Sequence, residues 1–180
     1  MATYIALLRG INVSGRNIIK MIALKQLFTE LRYRNVTSYI QSGNMIFDSN
    51  ITEQSVIEQQ IKNAINQTFG YSVHVLVLSK KYLEEVFKSN PFIQKTTIDT
   101  SKLHVTLLSD EPFSKGIEQI KELRTNQDAF EIIDKCIYLY CPNGYGNTKL
   151  NNNLFERKLK SSATTRNWNT ISKLMELCNS

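Results

Sequence analysis

The strongest constraint on this chain is an order of hydrophobic periodicities that occurs twice. Residues 3–8, TYIALL, form a short apolar run that stops at Arg9-Gly10 and reads as a strand. Leu24, Leu27, Phe28 and Leu31 follow at i, i+3, i+4 and i+7, the stripe of an amphipathic helix over residues 21–32. Residues 35–40 and 45–48 are β-rich runs on either side of Gln41-Ser42-Gly43-Asn44, a hairpin signal. Ile57, Ile61, Ala64 and Ile65 place a second helix over residues 53–68, closed by Gly70, and residues 72–79 supply a fourth strand. The order β-α-β-β-α-β is the split βαβ of the ferredoxin-like plait.

The pattern restarts about a hundred residues later. Residues 103–109 read as a strand and 113–123 as a helix. Strands at 129–133 and 136–141 flank an Asp134-Lys135 turn, a helix spans 150–159, and a short strand covers 163–165. Residues 169–177 add a terminal helix. Between the halves, KKYLEEVFKSN forms a short helix that Asn90-Pro91 ends, because the residue before proline is pushed out of the helical region. The predicted fold class is α+β: ferredoxin-like units at 1–79 and 100–180 with antiparallel sheets, joined by 80–99, the second ending in the extra helix.

Several chemistries find no support. The apolar runs are too short to cross a bilayer, and Arg9 interrupts the first of them, so neither a membrane span nor a secretory leader is expected and the cytoplasm is the predicted compartment. Cys136, Cys141 and Cys178 are odd in number and form no CxxC pair, which disfavours a disulfide scaffold or a zinc cluster. His74 and His104 lie inside apolar runs, where packing is the commoner role; no metal and no cofactor are expected. Gly10 to Asn17 mimics the spacing of GxxxxGK[ST], but Arg16 stands for the lysine and Asn17 for the magnesium-binding hydroxyl. RNA-recognition plaits stack bases on central-strand aromatics; here only Tyr4 and Phe47 are on offer. No set of nucleophile and base with a recognisable context is present, so the sequence names no reaction.

Charge is the more informative property. The chain carries a formal net charge of +6. Before Glu30 it holds Arg9, Arg16, Lys20 and Lys25 with no acid. From Lys149 to Lys173 it holds six cations against Glu156 alone. Such distribution suits an anionic partner at both ends of the chain.

The segments LLRGINVSGRN, YIQSGNMIF, NPF at 90–92 and SATTRNWNT together resemble the bacterial domain-of-unknown-function 1697 family over essentially the whole chain. That resemblance implies a two-part α/β protein of ferredoxin-like units and brings no catalytic residues with it. Ser14 and Arg16 stand where the family often has glycine and lysine, which keeps the loop basic.

In a split βαβ, the loop after strand 1 and the turn after strand 2 lie at one end of the sheet. Arg9, Asn12, Arg16, Asn17, Gln41, Ser42 and Asn44 are therefore expected to cluster in the first unit. In the second, Tyr145, Lys149, Arg166, Asn167 and Trp168 are expected as neighbours. The prediction is a small anionic ligand, a phosphorylated metabolite or nucleotide, held by these two sets in a cleft between the units. The alternatives are a basic nucleic-acid-binding module and a purely structural or interaction protein.

Overall fold

A computed structural model describes residues 1–180 with the exception of Thr96, Arg124 and Asn126. The chain divides into two units, one of Met1–Glu84 with Leu174–Ser180 and one of Glu85–Lys173. The first contains β1 (Ala2–Arg9), α1 (Met21–Glu30), β2 (Arg34–Tyr39), β3 (Asn44–Ser49), α2 (Gln54–Phe69) and β4 (His74–Ser79). Its strands form one antiparallel sheet in the order β2-β3-β1-β4. β1 and β2 thus run parallel with β3 between them, as the split βαβ requires.

Alternation along β1 sends Tyr4, Ala6 and Leu8 to the face that meets Leu24, Leu27 and Phe28 of α1 and Ile57, Ile61 and Ile65 of α2. Each of the Leu, Ile and Phe side chains among these contributes about 1.5–3 kcal/mol on burial before conformational entropy is charged against it. Phe28, Tyr33 and Phe47 interlock there, with the Phe28 and Phe47 rings edge-on at 5.2 Å. Tyr33 donates from its hydroxyl to Gln60 Oε1 at 2.9 Å, and burial raises its pKa to about 12. The opposite face, with Ile5, Leu7, Ile46, Leu76 and Leu78, is also buried. Gly70 closes α2 at φ +74° and donates its N–H to the Asn66 carbonyl at 2.9 Å.

α3 (Lys80–Lys88) follows directly. It stops before Asn90-Pro91, where the Asn90 side chain accepts from the Phe92 N–H at 2.9 Å. The second unit then repeats the first: β5 (Leu103–Leu108), α4 (Ser114–Lys121), β6 (Ala129–Ile133), β7 (Cys136–Tyr140), α5 (Asn152–Leu159) and β8 (Ala163–Asn167), with sheet order β6-β7-β5-β8, again antiparallel. α6 (Trp168–Cys178) completes the chain, so among the described residues there are two four-stranded sheets and six α-helices.

Three differences from the sequence reading have local causes. α5 begins two residues later than its apolar stripe, because the Asn151 side chain caps it by accepting from the Leu154 N–H at 3.1 Å. β8 runs on to Asn167, paired with β5 from Ala163 to that residue. The last seven residues group with the first unit, where Lys80 Nζ donates to the Cys178 carbonyl at 2.7 Å.

Candidate functional site

The loop after β1 is built on left-handed backbone. Gly10 and Gly15 sit at φ +75° and +74°, and Asn12, Ser14 and Asn17 at +54°, +51° and +46°. Asparagine tolerates this region better than most side-chain-bearing residues because its short amide can bond locally. Asn12 does so as a clamp. Its Oδ1 accepts from the Ile19 N–H at 2.8 Å, while its Nδ2 donates to the Ile19 carbonyl and to the Gln41 carbonyl, each at 2.9 Å. Asn17 donates to the Gly10 carbonyl at 3.0 Å. The loop is thereby tied both to itself and to the β2–β3 hairpin.

The hairpin is equally determined. Gly43 takes φ +79°, and its carbonyl accepts the Leu8 N–H at 2.8 Å. A Cβ at Gly43 would stand 2.7 Å from Leu8 Cβ and 2.9 Å from Ile11 Cδ1. Buried Asn44 donates to the Tyr39 carbonyl and to Ser42 Oγ, each at 3.0 Å. Three asparagines expected to meet a ligand therefore hold backbone together. Arg9 ends β1 half-buried opposite His74, whereas Arg16, Lys20 and Gln41 are exposed. Asp48 lies opposite Thr3 at the far end of β1, accepting from Thr3 Oγ1 and Asn35 Nδ2 at 2.7 Å each. Beside the loop is a groove of about 390 Å³ lined by Ile18, Met21 and Ile22 with Asn12, Lys20 and Gln41.

In the second unit, strand alternation separates residues that adjacency in sequence suggested would cluster. Thr106 pairs with Thr165 and Val105 with Arg166, so Thr165 and Arg166 point to opposite faces of the sheet. Tyr145 belongs to the Thr165 side: its hydroxyl donates to Thr165 Oγ1 at 3.2 Å, and its ring stacks on His104 with centroids 4.7 Å apart. Thr165 in turn donates to Asn152 Oδ1 at 2.6 Å. Burial holds the His104 pKa below its ordinary value, opposed by a bond to the Lys102 carbonyl. Arg166 donates from Nη1 to the Thr165 carbonyl at 3.0 Å, and burial pulls its pKa down to about 10. Asn167 Oδ1 accepts from the Thr170 N–H at 2.8 Å, and buried Trp168 stacks on Phe87 at 5.0 Å. Tyr145 and Arg166 are thus on different faces, and Asn167 and Trp168 shape the start of α6.

Lys149 of that set opens onto a cleft. The cleft encloses about 440 Å³ and is lined by Lys149, Arg157, Asn151, Asn153, Leu123 and Leu154. Both cations are exposed. Asn151 commits its Oδ1 to the α5 cap, so toward the cleft it can offer Nδ2 as a donor. Sequence reasoning missed Arg157, Asn151 and Asn153, although NNNLFERK carries the signal. An asparagine cap fixes the helix start, and Asn153 and Arg157 then fall four residues apart on one helical face.

Burial pushes the thiol pKa of Cys136 up to about 12 and those of Cys141 and Cys178 up to about 11. No group of three or more His, Cys, Asp or Glu that could hold a metal ion occurs among the described residues. None of their helices is long and apolar enough to cross a membrane.

Comparison with known proteins places the chain among relatives without assigning a reaction. The model of the family described as "Protein of unknown function (DUF1697)" matches residues 1–138, so TTRNW lies beyond the matched part. No curated protein matches the chain. Among solved structures, the conserved bacterial protein SP0830 from Streptococcus pneumoniae is similar at a TM-score of 0.78 and 21% identity, covering 98% of each chain. That likeness extends to the fold.

Proposed function

The chain belongs to the DUF1697 family, and from that starting point we propose that it binds a small anionic ligand in the basic cleft of its second unit. The observation that carries this reading is the pairing of Lys149 and Arg157 on one concavity with no carboxylate among its described lining residues. Its volume falls within the range that small-molecule sites occupy, roughly 300–1,000 Å³. The Arg157 guanidinium suits two oxygens of one phosphate or carboxylate, and Lys149 adds a point charge. The amides of Asn151 and Asn153 supply neutral donors, and the start of α5 adds a favourable dipole. Among the described lining residues there is no thiol, imidazole or carboxylate, and what they offer an anion is charge and hydrogen-bond donors. A phosphorylated metabolite or a nucleotide has the matching chemistry.

The nucleic-acid alternative has less behind it. Tyr4 and Phe47 lie in the core with the helices, so neither presents a ring for a base to stack on. The test is a thermal-shift screen with phosphate, sulfate, nucleotides and sugar phosphates on the whole protein. A ligand at about a hundred times its Kd stabilises the native state by about 2.7 kcal/mol. The reading predicts that at least one of these anions raises the midpoint, and that Lys149→Ala with Arg157→Ala abolishes the rise. No shift with any of them, or a shift that survives both substitutions, sinks it.

A further inference from the structure

The first unit carries a second surface whose composition is unlike the cleft. Among the described residues, four of the ten large apolar side chains that stand exposed belong to the β1–α1 loop, the start of α1 and the β2–β3 turn: Ile22 at 84% exposure, Ile18 at 62%, Val13 at 53% and Ile40 at 50%. Singly exposed aliphatic residues need no explanation, but a cluster of them marks an interaction site. Ile18 and Ile22 line the same groove, which brings them together in space. The Asn12 clamp ties Ile19 and Gln41, two residues of the groove lining, to one another and so pre-organises it.

Charge specifies the occupant. Lys20 lines the groove, Lys25 lies one helical turn beyond Met21 and Ile22, and Arg16 is exposed on the adjoining loop. No acid precedes Glu30 in the sequence. Lys20 also occupies the N-cap of α1, where no side chain caps the helix and the first turn holds no acid. A cation there is the electrostatically unfavourable choice for an isolated helix and a useful one for meeting a carboxylate.

We propose that this groove docks an acidic segment of another protein, which seats an aliphatic or aromatic side chain against Ile18 and Ile22 and sets its carboxylates against Lys20, Lys25 and Arg16. A concave, pre-organised surface favours a peptide over a lipid bilayer, because pre-organisation lowers the ordering cost of holding one partner geometry. Tryptophan and tyrosine, which anchor proteins at membrane interfaces, are not among the described residues that line the groove. This docking surface is independent of the Lys149–Arg157 cleft, so substitutions there leave it intact.

The experiment is selection of random peptides displayed on phage against the whole protein, followed by fluorescence polarisation of the recovered peptides. The expected peptides combine Asp or Glu with Leu, Ile, Met or Phe. They lose at least tenfold in affinity on Ile22→Asp and again on Lys20→Glu, and they bind more weakly as salt rises. Both positions are exposed, and an unchanged unfolding midpoint establishes that each variant folds. Recovery of no peptide, recovery of peptides without acidic enrichment, or binding indifferent to both substitutions overturns the proposal. Sedimentation of the protein with phosphatidylserine vesicles that disappears in Ile22→Asp, without peptide binding, also overturns it by assigning the surface to a membrane.

Discussion

Gly43→Ala tests whether the conspicuous QSGN turn is scaffold, and Gly10→Ala supplies its internal control. Both glycines have nearly the same backbone, φ +79° and +75°, so an alanine at either meets the same left-handed penalty of about 1–2 kcal/mol. The stiffening of the unfolded chain by alanine returns about 0.4–1 kcal/mol of this. Gly10 has nothing within 4 Å of an added Cβ, whereas at Gly43 that atom would lie 2.7 Å from Leu8 Cβ and 2.9 Å from Ile11 Cδ1. Leu8 Cβ cannot swing away, because it is fixed to a β1 backbone whose N–H bonds the Gly43 carbonyl. Overpacking of this kind costs about 1–3 kcal/mol more. Gly10→Ala should therefore destabilise by about 1 kcal/mol and Gly43→Ala by about 2–4 kcal/mol. Native-state amide exchange at Leu8 reads the difference directly, with roughly tenfold faster opening for each 1.4 kcal/mol. Equal effects from the two substitutions would refute the packing argument and return the turn to the list of ligand contacts.

Gly116→Ala in α4 places a methyl against the carbonyl oxygen of Lys158, with its carbonyl carbon 2.7 Å away. The gain in helix propensity, about 1 kcal/mol, is outweighed, and the thermal midpoint should fall by about 2–10 °C while Gly146→Ala, with open space around it, leaves it unchanged. For His104, burial favours the neutral ring in the folded state. Neither state is protonated well above pH 6.5, and below it the unfolded chain takes up the proton first, so stability drops as pH falls through that value. His104→Phe keeps a ring against Tyr145, and urea midpoints between pH 7.5 and 5 should then fall less steeply than in the wild type; an unchanged slope excludes this contribution.

Much of the fold is legible in the sequence because burial imposes a period on it. Leu24, Leu27 and Phe28 could only be one face of a helix, and Ile57, Ile61 and Ile65 another, and both faces enter the core of the first sheet. The limits of several elements were harder to read, because caps rather than apolar residues set them, as Asn151 does for α5. The candidate site was less legible for a different reason. Asparagine, serine and glycine satisfy backbone in a turn as readily as they satisfy a ligand, and one-dimensional adjacency does not report which. Thr165 and Arg166 are neighbours in the chain and face opposite sides of the sheet.

The asparagines also bear on where function can lie. The side-chain amides of Asn12, Asn17 and Asn44 donate to backbone carbonyls and the Ser42 hydroxyl, so the loop and hairpin are tied together by their own residues. What such a frame can present is the set of side chains its internal bonds do not use. In the first unit these are aliphatic and basic, Ile18 and Ile22 beside Lys20, which suits an amphipathic acidic segment. In the second they are cations and amides, Lys149 and Arg157 with Asn153, which suits a small anion. The two surfaces differ in the apolar residues of their walls, so substitution of Ile22 should separate the two proposed binding events without touching the clamp that supports the loop.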